Sequence, residues 1–355
     1  MPPSAVDWSL AERVAVRVAG REPFAESYHA DSLGPDFDRF TALAEDLVAD
    51  CTGLRSGAGP ARARVTDRAG WIAANVASFG RLLRPVLERF DTAAGAHLLA
   101  PVTSRITGAE VGLMLGWLST RVLGQYDLLV IEDEDPEEQD LVYYVGPNVL
   151  SLERRFAFPP SEFRLWLALH EVTHRAQFTG VPWMRPHFLG MVEQVVAAVG
   201  PDPARFAAAI GRATDALRHG RNPLADGGVM ALVATDEQRE VMEQMSGLMS
   251  LLEGHGDVTM DRAGAHLIPS APRFARVLRQ RRQQVSGLAR VFQQLVGLEA
   301  KLAQYEQGER FIAAVESADP ALMDRVWSDP ALLPSLAEIR QPEIWVARVR
   351  AGAPT

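Results

Sequence analysis

Two histidines with three residues between them, and a glutamate directly after the first, stand inside the apolar run FRLWLALHEVTHRAQFTGVPW, residues 163–183. At 100° per residue His170 and His174 fall about 40° apart on one helix face and one turn apart along its axis, so both imidazoles reach one metal ion. Zinc suits such a pair. It takes neutral imidazole nitrogen at about 2.0–2.1 Å and, in hydrolytic sites, has three protein ligands and a water whose pKa falls to about 7. Glu171 is then placed to take that water's proton as general base and pass it to a leaving amine. With eight histidines in 355 residues, an H-E-x-x-H pattern arises by chance in on the order of one per cent of chains, so its context decides.

That context is helical. Pro159-Pro160-Ser161 offers a helix start, Gly180 and Pro182 offer a stop, and Phe163, Trp166 or Leu167, His170, His174 and Gln177 recur on one face. The stripe is expected to face the core, where an imidazole without a partner is costly. A third ligand has to come from elsewhere. In the extended pattern H-E-x-x-H-x-x-G-x-x-H the glycine and last histidine would fall at Gln177 and Gly180, so that solution is absent. The other known solution is a glutamate on a later helix, followed four residues on by an aspartate that orients a histidine. LLEGHGDVTMD offers both, with Glu253 at 79 positions after His174 and Asp257 four further. His255 is the rival ligand, or a stabiliser of the oxyanion. The helix carrying Glu253 is expected to start at Thr235 with a capping box to Gln238 and to turn Met242, Met245, Met249 and Leu252 to the core.

Other elements must hold these residues in place. VTDRAGWIAANVASFGRLLRPVLERF reads as a helix capped by Thr66 or Asp67. TGAEVGLMLGWLSTRVLG is apolar on almost every side and is expected in the centre of the fold. The period then changes: QYDLLVIED and LVYYVGPNVL read as a β-hairpin or two neighbouring strands, closed by Gly146-Pro147-Asn148, and nothing else looks as strand-like. The loop between them, EDEDPEEQD, lacks the ligand spacing of an EF-hand and reads as solvated. LVYYVGPNVL is the expected rim of the cleft, where an extended substrate could add its own backbone hydrogen bonds. Tyr143 and Tyr144 point to opposite faces, so at most one faces the metal. They join His255 and Arg175 as candidate oxyanion stabilisers. Downstream of the motif the chain reads as helix after helix, which makes the fold class mainly α (α+β), with a small sheet or hairpin.

Composition narrows the partners. The 47% hydrophobic content supports a large buried core, and a net charge of -9 disfavours nucleic acid and anionic membranes, whose attraction needs excess Lys and Arg. No apolar run approaches the roughly 20 residues of a membrane span, and Asp7 and Glu12 interrupt any signal peptide, so a cytoplasmic location is expected. Cys51 is the single cysteine, which rules out an internal disulfide or a cysteine zinc cluster; it is expected to be buried and inert. A peptide or small amide substrate is the expected partner.

The H-E-x-x-H and E-x-x-x-D layout resembles the gluzincin branch of zinc metallopeptidases. From about residue 65 the chain is similar to a narrower, largely actinobacterial group of zincin-like hydrolases, labelled as associated with biosynthesis of the deazaflavin redox coenzyme. DRAGWIAANV, RVLGQYDL, YVGPNVL, FRLWLALHEVTHRAQFTGVPWMR, LLEGHGDVTMD and KLAQYEQGERFI carry this resemblance. It implies a zincin-like fold with one zinc per chain, held by His170, His174 and Glu253, with Glu171 as base. The expected division of the chain is a variable segment over 1–60, an upper lobe over 61–180 with the sheet and the motif helix, and an all-helical lower lobe over 181–355 that carries the third zinc ligand. The expected function is zinc-dependent hydrolysis of a peptide or other amide bond. Two alternatives stand beside it, a zinc-containing binding or scaffold protein without turnover and an amidohydrolase of cofactor metabolism. Retained chemistry is favoured because Glu171 is no ligand, and a purely structural site has no need of it.

Overall fold

The computed structural model describes residues 6–24, 27–91, 100–128, 140–197, 236–283 and 298–352. It divides into two units, Met1–Gly180 with Arg262–Ala271, and Val181–Asp261 with Pro272–Thr355. The first unit holds α1 (Trp8–Ala19), α2 (Tyr28–Asp31), α3 (Leu33–Thr52), β1 (Arg62–Thr66), α4 (Arg68–Asp91), α5 (Ala100–Ser119), β2 (Gly124–Tyr126), β3 (Leu141–Val145), α6 (Gly146–Phe156) and α7 (Pro160–Thr179).

The strands form one sheet in the order β1-β3-β2, with β1 parallel and β2 antiparallel to β3. Of QYDLLVIED, Gln125 and Tyr126 lie in β2, antiparallel to LVYYV, while residues 129–133 lie outside the described residues; RARVT, which has little strand character of its own, adds a third strand. With Arg62, Arg64 and only one β-branched apolar residue, Val65, β1 is half-buried throughout and owes its conformation to pairing with β3. Gly146-Pro147-Asn148 does not close β3 as expected; it opens α6. Pro147 sits in the first turn, where its missing N–H costs nothing. Asn148 Nδ2 donates to the Ser119 and Val122 carbonyls, and Arg68 Nε donates to Asn148 Oδ1, which ties the end of α5 to the entry of β2.

Asp67 caps α4 through its side chain, accepting from the Gly70 N–H at 2.6 Å. Trp71, Ile72 and Val76 of α4 pack with Ala15, Ala19, Leu115 and Val145 into a core cluster. The α5 helix is not central, contrary to its all-round apolarity: Ile106 and Leu113 are 55% and 50% exposed. Its packed face is the stripe Gly108, Gly112 and Gly116, which meets the backbone of Asp7, the N-cap of α1, and of Ala11 and Ala15 within it. The helices approach so closely there that a Cβ on Gly112 would stand 2.5 Å from the Ala11 carbonyl oxygen. Cys51, expected to be buried, is exposed in the last turn of α3.

The second unit holds α8 (Met184–Ala197), α9 (Asp236–Gly264, whose last residues from Arg262 belong to the first unit), α10 (Ala271–Gln283), α11 (Leu298–Ala318), α12 (Ala321–Val326), a 3-10 turn (Pro330–Leu332), α13 (Leu336–Arg340) and α14 (Pro342–Arg350). The α9 helix runs unbroken through Gly254 and Gly256. Gly254 is explained by α11, whose Gly308 backbone lies where a side chain would stand. The expected cap at Thr235, the helix PARFAAAIGRATDAL, residues 284–297 and residues 132–139 of the acidic loop lie outside the described residues. Among the described residues, no helix is long and apolar enough to cross a membrane.

Candidate metal centre

The H-E-x-x-H motif lies on α7, which starts at Pro160 and ends at Thr179 with Gly180 as its C-cap. The expected single core stripe is not what surrounds it. Every residue from Phe163 to Phe178 is buried except His170 and His174, so the helix is enclosed on nearly all sides and solvent reaches it at the two imidazoles. What fixes its rotation is a pair of buried arginines. Arg164 and Arg175 are eleven residues apart, three turns, and therefore share a face. Arg164 donates to Glu153 in α6, at 2.8 and 3.0 Å, and to Asp36 in α3, at 2.7 Å. Arg175 donates to Glu45 in α3, to Asp140, and to the Gly59 carbonyl. Burial works against the charge of each, and their carboxylate partners outweigh it, so both guanidiniums are held above their usual range.

The two imidazoles meet edge to face, with ring centroids 4.7 Å apart and planes at 83°. Their Nε2 atoms stand 3.3 Å from one another. His174 Nδ1 faces Gln177 Oε1 at 2.9 Å. That oxygen only accepts, so Nδ1 carries the proton and Nε2 presents its lone pair. Gln177 is wholly buried, which keeps the ring from turning. The sequence signal for this contact is the spacing of three from His174, which puts Gln177 on the histidine face.

Glu253 and Asp257 are both half-buried, one turn apart on the same face of α9, and the helix continues to Gly264. Asp257 is therefore not a helix-end carboxylate. His255 lies about 200° round the helix from Glu253, buried with its ring edge-on to Trp327 at 4.9 Å. His170, His174 and Glu253 each offer one ligand atom, and the three atoms lie within 4.8 Å of one another. Two imidazoles and one carboxylate are a donor set of hydrolytic zinc, so the residues present fit that ion. His255 is not in this group.

Glu171 is 7% exposed. Its carboxylate lies against Gly124, the first residue of β2: a Cβ there would be 2.6 Å from both Cγ and Oε1. Two of the proposed oxyanion stabilisers are otherwise engaged. Tyr144 is fully buried, stacked on Phe37, with its hydroxyl 2.8 Å from Thr41 Oγ1. Burial pushes its phenol well above the usual range, and the charge of Glu171 adds to this. Arg175 is committed to Asp140, Glu45 and Gly59, in the interior. The expectation that LVYYVGPNVL forms a rim also fails. β3 is the central strand, paired on both sides, so its backbone has no edge to offer a substrate.

A donor group that could hold a metal, built on an H-E-x-x-H helix in a mostly helical fold with a small sheet, fits the zincin class. The chain belongs to the zincin-like metallopeptidase family, whose model matches residues 6–346. It is also similar, at 32% identity and a TM-score of 0.71, to a crystal structure from Chloroflexus aurantiacus provisionally described as a hydrolase with a novel fold; the match covers 97% of this chain and 99% of that one. A search of curated proteins returned no match.

Proposed function

We propose that the protein is a zinc-dependent hydrolase acting on a peptide or other amide bond, with zinc held by His170, His174 and Glu253 and with Glu171 as general base. The observation that carries this reading is Glu171 itself. It directly follows a ligand in the chain, stands outside the donor group, and has its carboxylate lodged in a fitted space against Gly124; a site that only binds metal needs no such group. Family membership and the hydrolase description of the Chloroflexus protein support the same class. Zinc, when bound, supplies a Lewis acid that lowers the pKa of its water to about 7 and polarises a carbonyl. The chain's own residues do the rest. Gln177 holds His174 with its Nε2 lone pair available, and Asp257 orients a ligand histidine. Glu171 accepts the proton of the attacking water and returns it to the leaving amine. Of the other two candidate oxyanion stabilisers, His255 lies about 200° round α9 from Glu253, and Tyr143 pairs with Gln125 on the sheet face opposite Gly124, so both point away from these groups.

The test is a pair of variants assayed for bound zinc and against a library of quenched fluorogenic peptides. Glu171→Gln is expected to keep about one zinc per chain while hydrolysis falls by roughly 10²–10⁴-fold, the usual contribution of a general base. His170→Ala is expected to lose both. Cleavage that survives Glu171→Gln would remove Glu171 as the base, absence of any cleavage by the wild type would remove the hydrolase reading, and native protein with less than half an equivalent of zinc would remove the metal.

A further inference from the structure

The space occupied by the Glu171 carboxylate exists because residue 124 has no side chain. Glycine is not needed there for its backbone. Gly124 is absent from the positive-φ residues of the chain, which include Gly20, Gly53, Gly59 and Gly352, and it sits in extended strand pairing with Tyr144. Any residue can adopt that conformation, so the reason for glycine is room. A Cβ at 124 would lie 2.6 Å from Glu171 Cγ, 2.6 Å from Oε1 and 2.8 Å from Cδ, and those are its three nearest neighbours. All three belong to the proposed base.

Neither partner has slack to resolve such a collision. β2 is held to β3 at both ends, by Val145 N–H to the Leu123 carbonyl at 2.9 Å and Asp127 N–H to the Leu141 carbonyl at 3.0 Å. The next residue, Gln125, is clamped on the other face of the strand: Trp71 Nε1 donates to its Oε1 at 2.8 Å, and its Nε2 donates to Asn75 Oδ1 at 3.1 Å. Asn75 Nδ2 in turn donates to the Trp71 carbonyl. Asn148 fixes the approach to the strand through the Ser119 and Val122 carbonyls. On the other side, α7 is locked by Arg164 and Arg175. With both backbones held, the collision falls on the side chain of Glu171.

We propose that Gly124 is a positioning residue for Glu171: its missing side chain leaves the space in which the carboxylate is held, and a methyl group there displaces the carboxylate from its working position. The proposal rests on Glu171 being the base. It assigns β2, a strand of three residues, the task of setting where that base stands.

A double-mutant cycle tests it, read by thermal unfolding of the full chain, zinc content and peptide hydrolysis. Gly124→Ala alone is expected to lower Tm by about 3 °C or more, as overpacking of a fixed site does in a chain of this size. It should keep zinc, reduce kcat at least roughly tenfold, as misplacement of a catalytic group does, and leave KM within about threefold. In the Glu171→Ala background the same substitution is expected to cost nothing or to raise Tm, because the obstructing carboxylate is gone and alanine restricts the unfolded chain more than glycine. Should Gly124→Ala fail to fold, the double variant folding normally supports the proposal, and its failing equally overturns it. Equal loss of Tm in both backgrounds overturns it, since glycine would then be required by something other than Glu171. Unchanged kcat in Gly124→Ala overturns it as well. Absence of any peptide cleavage by the wild type is instead the failure of the hydrolase reading, and the Tm cycle then decides whether Glu171 is what Gly124 accommodates.

Discussion

His170 and His174 stand out on α7 by exposure as well as by spacing, since their neighbours from Phe163 to Phe178 are all buried. Their Nε2 atoms face one another at 3.3 Å, and lone pairs brought so close repel unless a cation or a proton lies between them. The choice of third ligand is a question of helix geometry. Glu253 and His255 are two residues apart and point in nearly opposite directions from α9, so they cannot exchange roles without turning the helix. Glu253→Ala is therefore expected to weaken zinc binding by well over the roughly 10–100-fold typical of losing a group that orients a ligand, while Asp257→Asn falls inside that range. His255→Ala should leave affinity within about threefold; competition with a chromophoric chelator measures all three. An equal loss from His255→Ala would show that the ligand has been misassigned.

At the scale of elements, close backbone contact does work usually credited to large side chains. The α5 helix is apolar on nearly every side, yet Leu113 is half exposed while Gly112 is buried. A Cβ on Gly112 would stand 2.5 Å from a main-chain oxygen and 2.8 Å from Val14 Cβ, and a helix backbone cannot yield as a side-chain tip can. Gly112→Val should destabilise by roughly 2–3 kcal/mol or more. Leu113→Ala, although it removes far more apolar surface, should change stability by no more than about 0.5 kcal/mol because that surface is already in water. Denaturant unfolding of the two variants makes the comparison, and a larger cost for Leu113→Ala would mean that the exposed face is covered in solution. The same logic explains why α9 passes through Gly254 without breaking: its glycine serves the contact with α11, and the helix needs no stop there.

For the whole molecule, a metal bound by His170, His174 and Glu253 joins positions 79 residues apart along the chain. Such a link exists only in the folded state, so binding stabilises by mass action, about 4 kcal/mol when free metal exceeds Kd a thousandfold. Stripping zinc with a chelator is expected to lower the Tm of the wild type by several degrees and to leave His170→Ala unmoved. Equal melting of wild-type protein with and without chelator would mean that the metal contributes nothing to the fold.

Local spacing was legible in the residues alone. The spacing of His170, Glu171 and His174, the start at Pro160 and the stop at Gly180 were all readable, because helix periodicity and capping act within a few residues. So was Glu253-x-x-x-Asp257, since four residues make one helical turn. The rest depended on neighbours distant in sequence. RARVT became a strand only by pairing with β3, and that pairing put LVYYV in the middle of the sheet and off its edge. Arg175 and Tyr144 had the right chemistry for an oxyanion, and burial against Asp140, Glu45 and Thr41 took it away. Gly124 carried no sequence signal at all. Its significance is the space it leaves to the Glu171 carboxylate, and which group fills that space only the tertiary structure decides.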